Sequence, residues 1–296
     1  MVLKSQKQKD FLFDSVIYIV LFIIMLTMLY PFYYVLIASF NKGSDTLLGG
    51  VYLWPRSVTL ENYKVFLDDP KWYRAFLVTV ARTISGTALG LLLTSLVAYA
   101  LSHRDLLFSK TYFTIIIFAM YFSGGLIPYY VVLRSIGLLN SFAVYIVPSM
   151  LNTFFLLIAI SFFREIPGEM KESAHMDGAG ELVIFFRIIL PVSTPVLATM
   201  ALFMGVGQWN SWLDSAYFVQ SENLRTLTYR MMEVINKSNS PMDAIAVANS
   251  ASASAGVTSF SLQVTSMVVS IVPIICVYPF LQKYFVHGIM LGSVKG

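Results

Sequence analysis

Residues Pro167–Pro191 read PGEMKESAHMDGAGELVIFFRIILP. The stretch sets a soluble-looking helix and a glycine turn between two long apolar runs. Pro167 and Gly168 end the first run and let a new helix start. EMKESAHMD holds good helix formers, with acids early, where they complement the positive end of the helix dipole. Gly178, after Asp177, is the expected C-terminal cap, because glycine takes the left-handed conformation freely. ELVIFFRIILP then resumes an apolar helix. The pattern predicts a short helix, a sharp turn and a second helix lying across one membrane face. Met170, Ser173, Ala174 and Asp177 fall at i, i+3, i+4 and i+7, a narrow face of small or flexible side chains. Glu169, Glu172 and Met176 lie on neighbouring faces. Helices that rest on lipid favour Lys and Arg, so a helix with these acids fits a soluble partner better.

The rest of the chain explains why a membrane is involved. Of 296 residues, 57% are hydrophobic and 12% are charged, whereas a soluble domain carries about 25% charged residues. The net charge of +4 comes from scattered basic residues that form no stripe, so no nucleic-acid partner is expected. The single cysteine, Cys276, excludes a disulfide framework and is expected to be a small buried hydrophobe.

Six stretches hold the roughly 20 apolar residues that a spanning helix needs: 13–38, 76–101, 111–133, 142–163, 188–210 and 262–285. The fifth starts at Pro191 and Pro195, tolerated in a first turn, where the missing N–H costs nothing. The fold class is therefore all-α, a polytopic membrane protein with six transmembrane helices in a single transmembrane domain, 1–296. The first span is too long for the apolar core of a signal peptide and is expected to be permanent. Basic residues are about twice as dense in the segments on the N-terminal side, which favours both termini, and the 164–187 loop, in the cytoplasm. Two long outer loops remain, 39–75 and 211–261. The second, with NSPMDAIAVANSASASAGVTSFS, reads equally as a flexible surface loop and as a docking surface for an outside partner.

The 167–191 stretch resembles the EAA loop of ABC importer permeases. The family pattern is E-A-A, three residues, Gly, nine residues, then I-x-L-P. Here it stands as Glu172, Ser173, Ala174, then Gly178, then Ile188, Ile189, Leu190 and Pro191, with Ser173 replacing the first alanine. Asp177, Gly178 and Ala179 match the DGA of the sugar branch. YPFLQKYFVHGIMLGSVKG, from Tyr278, is similar to the tail of the maltose-system permeases. FSGGLIPYYVVLRSIGLLNS, from Phe122, is similar to the subgroup that handles complex oligosaccharides. The resemblance implies that the loop is a coupling helix docking in a groove on a cytoplasmic ATPase, through Glu169, Glu172, Ser173, Ala174, Asp177 and Gly178. It also implies a second homologous permease subunit, two ATPase subunits that hold ATP and Mg, an extracytoplasmic solute-binding protein, a sugar substrate, and residence in the lipid of a bacterial cytoplasmic membrane.

No G-x-x-x-x-G-K-[ST] loop occurs, so no nucleotide site is expected in this chain. His103, His175 and His287 lack metal-ligand spacing, and no nucleophile motif stands out. The chain is therefore not expected to be an enzyme, or to bind a cofactor or metal itself. Ionisable groups inside the spans are scarce. Arg82 is expected to reach an outer interface, and the lack of acidic or His relays argues against the rival reading, a secondary carrier or channel. The polar groups left for a translocation path are Ser123, Asn152, Gln208, Trp209 and Asn210. Trp212 reads as an interfacial anchor, and Trp209 equally as an anchor or a path residue. Ser123, Gly124 and Gly125 break span three, and broken backbone at membrane depth must line a cavity or be buried in protein. Gly86 and Gly90 predict close helix packing.

Overall fold

The computed structural model describes residues 2–103, 105–238 and 256–293. It is 78% helical, and no strand forms among the described residues. Three helices are long and apolar enough to cross a membrane: Phe13–Ser39, Pro70–Ser102 and Ser259–Cys276. Three bent pairs pass the same test: Ser109–Tyr121 with Leu126–Ser135 at 114°, Phe142–Ser149 with Thr153–Glu165 at 43°, and Glu181–Val192 with Thr194–Asn210 at 83°. Each of the six expected spans overlaps one of these. The chain is an all-α, multi-pass membrane protein.

The chain divides into two units, residues 1–69 with 233–271, and 70–232 with 272–296. In the first, the Phe13–Ser39 stretch has a mean hydropathy of 2.3 and no buried residue in its most apolar window. A helix that is apolar all round and uncovered belongs in a membrane. Beyond it, buried asparagines pin the backbone. Asn41 Nδ2 donates to Thr46 Oγ1 at 2.8 Å, and Asn41 Oδ1 accepts from the Ser57 N–H at 2.8 Å. Asn62 donates to the carbonyls of Ser39 and Asn41 at 2.8 and 2.9 Å. Gly43 permits a close approach: a Cβ there would lie 2.5 Å from Thr258 Oγ1.

In the second unit, Pro70–Ser102 packs against Thr153–Glu165 and Thr194–Asn210. Their shared core holds Ala98, Tyr99, Leu156, Ile160, Phe163 and Met200. Gly86 and Gly90 face Thr194–Asn210 as the spacing predicted: a Cβ would come within 2.8 Å of Gln208 and 2.7 Å of Met204. Pro195 stands in the first turn of Thr194–Asn210, where its ring breaks no hydrogen bond. A π-helical turn, Phe185–Ile189, precedes Pro191.

Span three, expected over 111–133 with a break at Ser123–Gly125, is two helices, Ser109–Tyr121 and Leu126–Ser135, bent by 114° at that break. Gly125 has φ +86°, which directs the chain out of the first helix. Cys276 is exposed, not buried, because an apolar surface whose solvent is lipid need not turn inward. Arg82, expected to extend outward, is instead enclosed by the protein at 2% exposure. Residues 239–255 of the long loop lie outside the described residues, as do the side chains of nearly all of the Tyr278–Gly296 tail. The preceding part of that loop forms the helices Leu213–Phe218 and Leu227–Ser238.

Candidate coupling loop and translocation path

The predicted helix–turn–helix forms as Gly168–Met176, a turn at Asp177–Gly180, and Glu181–Ile184. Gly178 has φ +79°. The Ala179 N–H donates to the Ala174 carbonyl at 2.9 Å, and the Gly178 N–H to the His175 carbonyl at 3.0 Å. This is a Schellman cap, which satisfies carbonyls that the helix end would otherwise leave open. Nothing lies within 4 Å of a Cβ at Gly178, so conformation rather than space requires glycine.

The cap divides the site residues into two sets. Ala174 is 8% exposed and joins the core with Tyr99, Ile184 and Phe185. Glu169, Glu172, Ser173 and Asp177 are exposed, and so is Met176 at 89%. The expected face of Met170, Ser173, Ala174 and Asp177 is thus split, with Ala174 inward and the others outward. Lys171 lies half-buried over the Tyr99 ring, 5.2 Å from its centroid. Burial lowers its ammonium pKa, and neighbouring Glu181 opposes that shift.

A residue that the sequence reading did not single out organises the base of this loop. Glu181 Oε2 accepts from Tyr99 Oη at 2.5 Å, and Glu181 Oε1 lies 3.2 Å from His175 Nε2. His103 Nε2 is 3.7 Å from Glu181 Oε2. The available signal was a carboxylate at a helix start, close after a glycine turn. Among the described residues no group of three or more His, Cys, Asp or Glu side chains is arranged to hold a metal.

The five path residues occupy different local settings. Ser123 is exposed in the bend of the third pair, its Oγ accepting from the Gly125 N–H at 3.3 Å. Asn152 caps Thr153–Glu165, its Oδ1 accepting from the Phe155 N–H at 3.1 Å. Gln208 is buried: its Oε1 accepts from Arg82 Nε at 2.8 Å and its Nε2 donates to Ser149 Oγ at 2.7 Å. Trp209 is also buried, edge-on to Phe76, and its carbonyl accepts from Thr228 Oγ1 at 2.8 Å. Asn210 is exposed at the helix end.

Gln208 belongs to a charged network that the sequence reading missed. Arg82 donates to Gln208, to the Ser211 carbonyl at 3.0 Å and to the Asp214 carboxylate. Its guanidinium stacks over Tyr145 at 4.7 Å. An arginine inside an apolar span requires a partner, and that requirement was the readable signal. Beside it, Phe76, Val80, Thr83, Gly205, Trp209 and Pro273 help line a cavity of about 420 Å³. Its walls are nearly all apolar, which suits a hydrocarbon better than the hydroxyls of a sugar.

The chain and its fold have clear counterparts. The chain is 35% identical over 288 residues to the polygalacturonan/rhamnogalacturonan transport system permease protein YtcP of Bacillus subtilis (strain 168), covering 97% of this chain and all of that one. It is 28% identical to the arabinooligosaccharides transport system permease protein AraQ of Halalkalibacterium halodurans, over 90% of this chain and 91% of the relative. Among solved structures, a bacterial ABC transporter involved in the import of the acidic polysaccharide alginate matches with a TM-score of 0.84 and 28% identity, over 94% of this chain and 98% of that one. No family model matches the sequence. This multi-pass helical fold, matched over nearly the whole chain by these proteins, is that of a membrane transport permease. The chain belongs to the family of ABC transport system permeases, in its carbohydrate branch.

Proposed function

We propose that this chain is one permease subunit of a binding-protein-dependent importer that carries a sugar or oligosaccharide across a bacterial cytoplasmic membrane. The observation that carries the reading is the full-length 35% identity to a polygalacturonan/rhamnogalacturonan permease. The arabinooligosaccharide permease and the alginate importer support the same substrate class. In this reading the six crossings place both termini and residues 164–187 in the cytoplasm. A second, homologous permease completes the membrane part. Two separate ATPase subunits bind ATP and Mg, and an extracytoplasmic protein delivers the sugar.

The exposed carboxylates and small side chains of Gly168–Met176 suit a docking surface. Glu169, Glu172, Ser173 and Asp177 face the ATPase, Gly178 sets the turn, and Ala174 seats the helix on the permease core. Nucleotide-driven closure of the ATPases then moves the spans. The assembled transporter in lipid vesicles, supplied with its binding protein, tests this. Labelled oligogalacturonides and arabino-oligosaccharides are expected to accumulate only with ATP inside the ATPase compartment. Uptake driven by an ion gradient without the ATPases would overturn the reading.

A further inference from the structure

Two elements share the carboxylate of Glu181, one oxygen each. Tyr99, in the last turn of Pro70–Ser102, and His103, just beyond its end, meet Oε2 at 2.5 and 3.7 Å. His175 comes from Gly168–Met176 and meets Oε1, at 3.2 Å. Lys171 from the same short helix lies over the Tyr99 ring, and Phe185 packs on that ring at 5.4 Å. Tyr99 is itself buried. Glu181 thus stands where the exposed helix, the following helix and the end of a long spanning helix meet.

The other links between these elements are the apolar packing around Ala174 and the Lys171 ammonium over the Tyr99 ring. Such packing is non-directional, and a single methyl resists sliding weakly. Hydrogen bonds to an ionised carboxylate are directional and about twice as strong as neutral ones. The Glu181 side chain, 54% exposed, adds a directional link from the short helix to Tyr99 that the packing alone does not supply.

We infer that Glu181 is a positioning residue that ties Gly168–Met176 to the Pro70–Ser102 span, so that the two move as one body when the ATPases close. The inference rests on the docking role proposed for the short helix. It assigns the transmission of force to a carboxylate lying outside the exposed docking face.

The test uses the complete transporter in vesicles, with Cys276→Ser and spin labels on cysteines replacing Leu92 and Met176, both exposed. The label–label distance is measured without nucleotide and after trapping with ATP and vanadate. With Glu181 present, the distance is expected to keep one centre in both states. In Glu181→Leu the centre shifts on trapping, while the ATPases still co-purify and hydrolyse ATP. Tyr99→Phe, lacking one hydroxyl, shifts it in the same direction by less, and Glu181→Gln, which still accepts from Tyr99, shifts it least. An unchanged centre in Glu181→Leu, or a parent distance that itself changes on trapping, overturns the inference. If Glu181→Leu fails to assemble, parent-like distances in the Tyr99 and Gln variants overturn it equally, and shifted ones support it. Glu172→Lys separates the premise: normal ATPase binding and hydrolysis in that variant defeats the docking role, whatever the distances show.

Discussion

The Arg82 guanidinium donates to the carboxylate of Asp214, a residue 132 positions further along the chain. The Arg82 side chain is 3% exposed and that of Asp214 32%. The pair joins a spanning helix to the segment after Thr194–Asn210, with Gln208 and Tyr145 completing the arginine's surroundings. Removing one partner of a buried pair leaves a charge without compensation, at a cost of about 3–5 kcal/mol. Asp214→Asn is expected near the low end, because that carboxylate is partly solvated. Arg82→Met with Asp214→Asn should cost less than Arg82→Met alone. Thermal unfolding of the purified permease in detergent, run as a double-mutant cycle, checks the order. Additive losses would mean that the pair is not coupled.

Gly86 and Gly90 both face Thr194–Asn210, yet their substitutions should differ. A Cβ at residue 86 meets Gln208 Cδ and Nε2 at 2.8 Å, and so pushes on the group that holds Arg82. A Cβ at residue 90 meets the free end of Met204 at 2.7 Å, and methionine repacks readily. Gly86→Ala is expected to lower stability by about 1–3 kcal/mol, as overpacking does, and Gly90→Ala by less. The unfolding midpoints of the two variants settle the order.

Much of this architecture was legible because hydropathy and spacing act locally. The Gly178 cap followed from one glycine after a run of helix formers, and the break at Ser123–Gly125 from small residues in an apolar run. The Arg82 network was not legible, since Asp214 is brought to Arg82, and Ser149 to Gln208, only by tertiary packing. Glu181 was hidden for the same reason: its partners Tyr99 and His103 lie some 80 residues upstream. The angles of the bent pairs were also out of reach, because a window of apolar residues reports length in lipid and not direction. Asn152 was read as a path residue for its polarity, and the structure gives that polarity a local role at a helix start.

The turn after Gly168–Met176 predicts a graded series. Only a positive φ is demanded at Gly178, and space around it is open. Asparagine adopts that conformation more easily than other side chains, so Gly178→Asn should retain most uptake. Gly178→Val should lose it, since a branched side chain in the left-handed region costs about 1–2 kcal/mol. Proline fixes φ near −65°, so Gly178→Pro should abolish uptake with the permease still inserted. Equal transport by the valine and asparagine variants would remove the turn from the mechanism.

Sidedness gives an independent check. Lys171→Cys in a Cys276→Ser background should react with a membrane-impermeant maleimide only in inverted vesicles. Met176→Cys, at an 89% exposed position on the same helix, should behave alike and faster. Labelling of either from outside intact cells would invert the proposed topology.

The last prediction concerns which polar residues meet the sugar. A sugar presents hydroxyls and C–H faces, so its path needs neutral hydrogen-bonding groups that are not already engaged in holding the fold. Gln208 bonds at both ends of its amide, to Arg82 and to Ser149. Gln208→Leu would leave buried Arg82 short of an acceptor, at about 1–3 kcal/mol, and is expected to lower yield and thermal stability. Asn152→Ala loses a helix cap, worth about 1 kcal/mol, while Asn152→Asp keeps the acceptor and should be stable. Ser123 and Asn210 are exposed, so Ser123→Ala and Asn210→Leu should leave the fold intact. Their expected effect is on the rate of uptake or the preference among oligosaccharides, read in vesicles with the assembly matched for amount. If both variants transport as the parent does while Gln208→Leu alone changes preference, the path runs along the Arg82 network and not past the bend at Ser123.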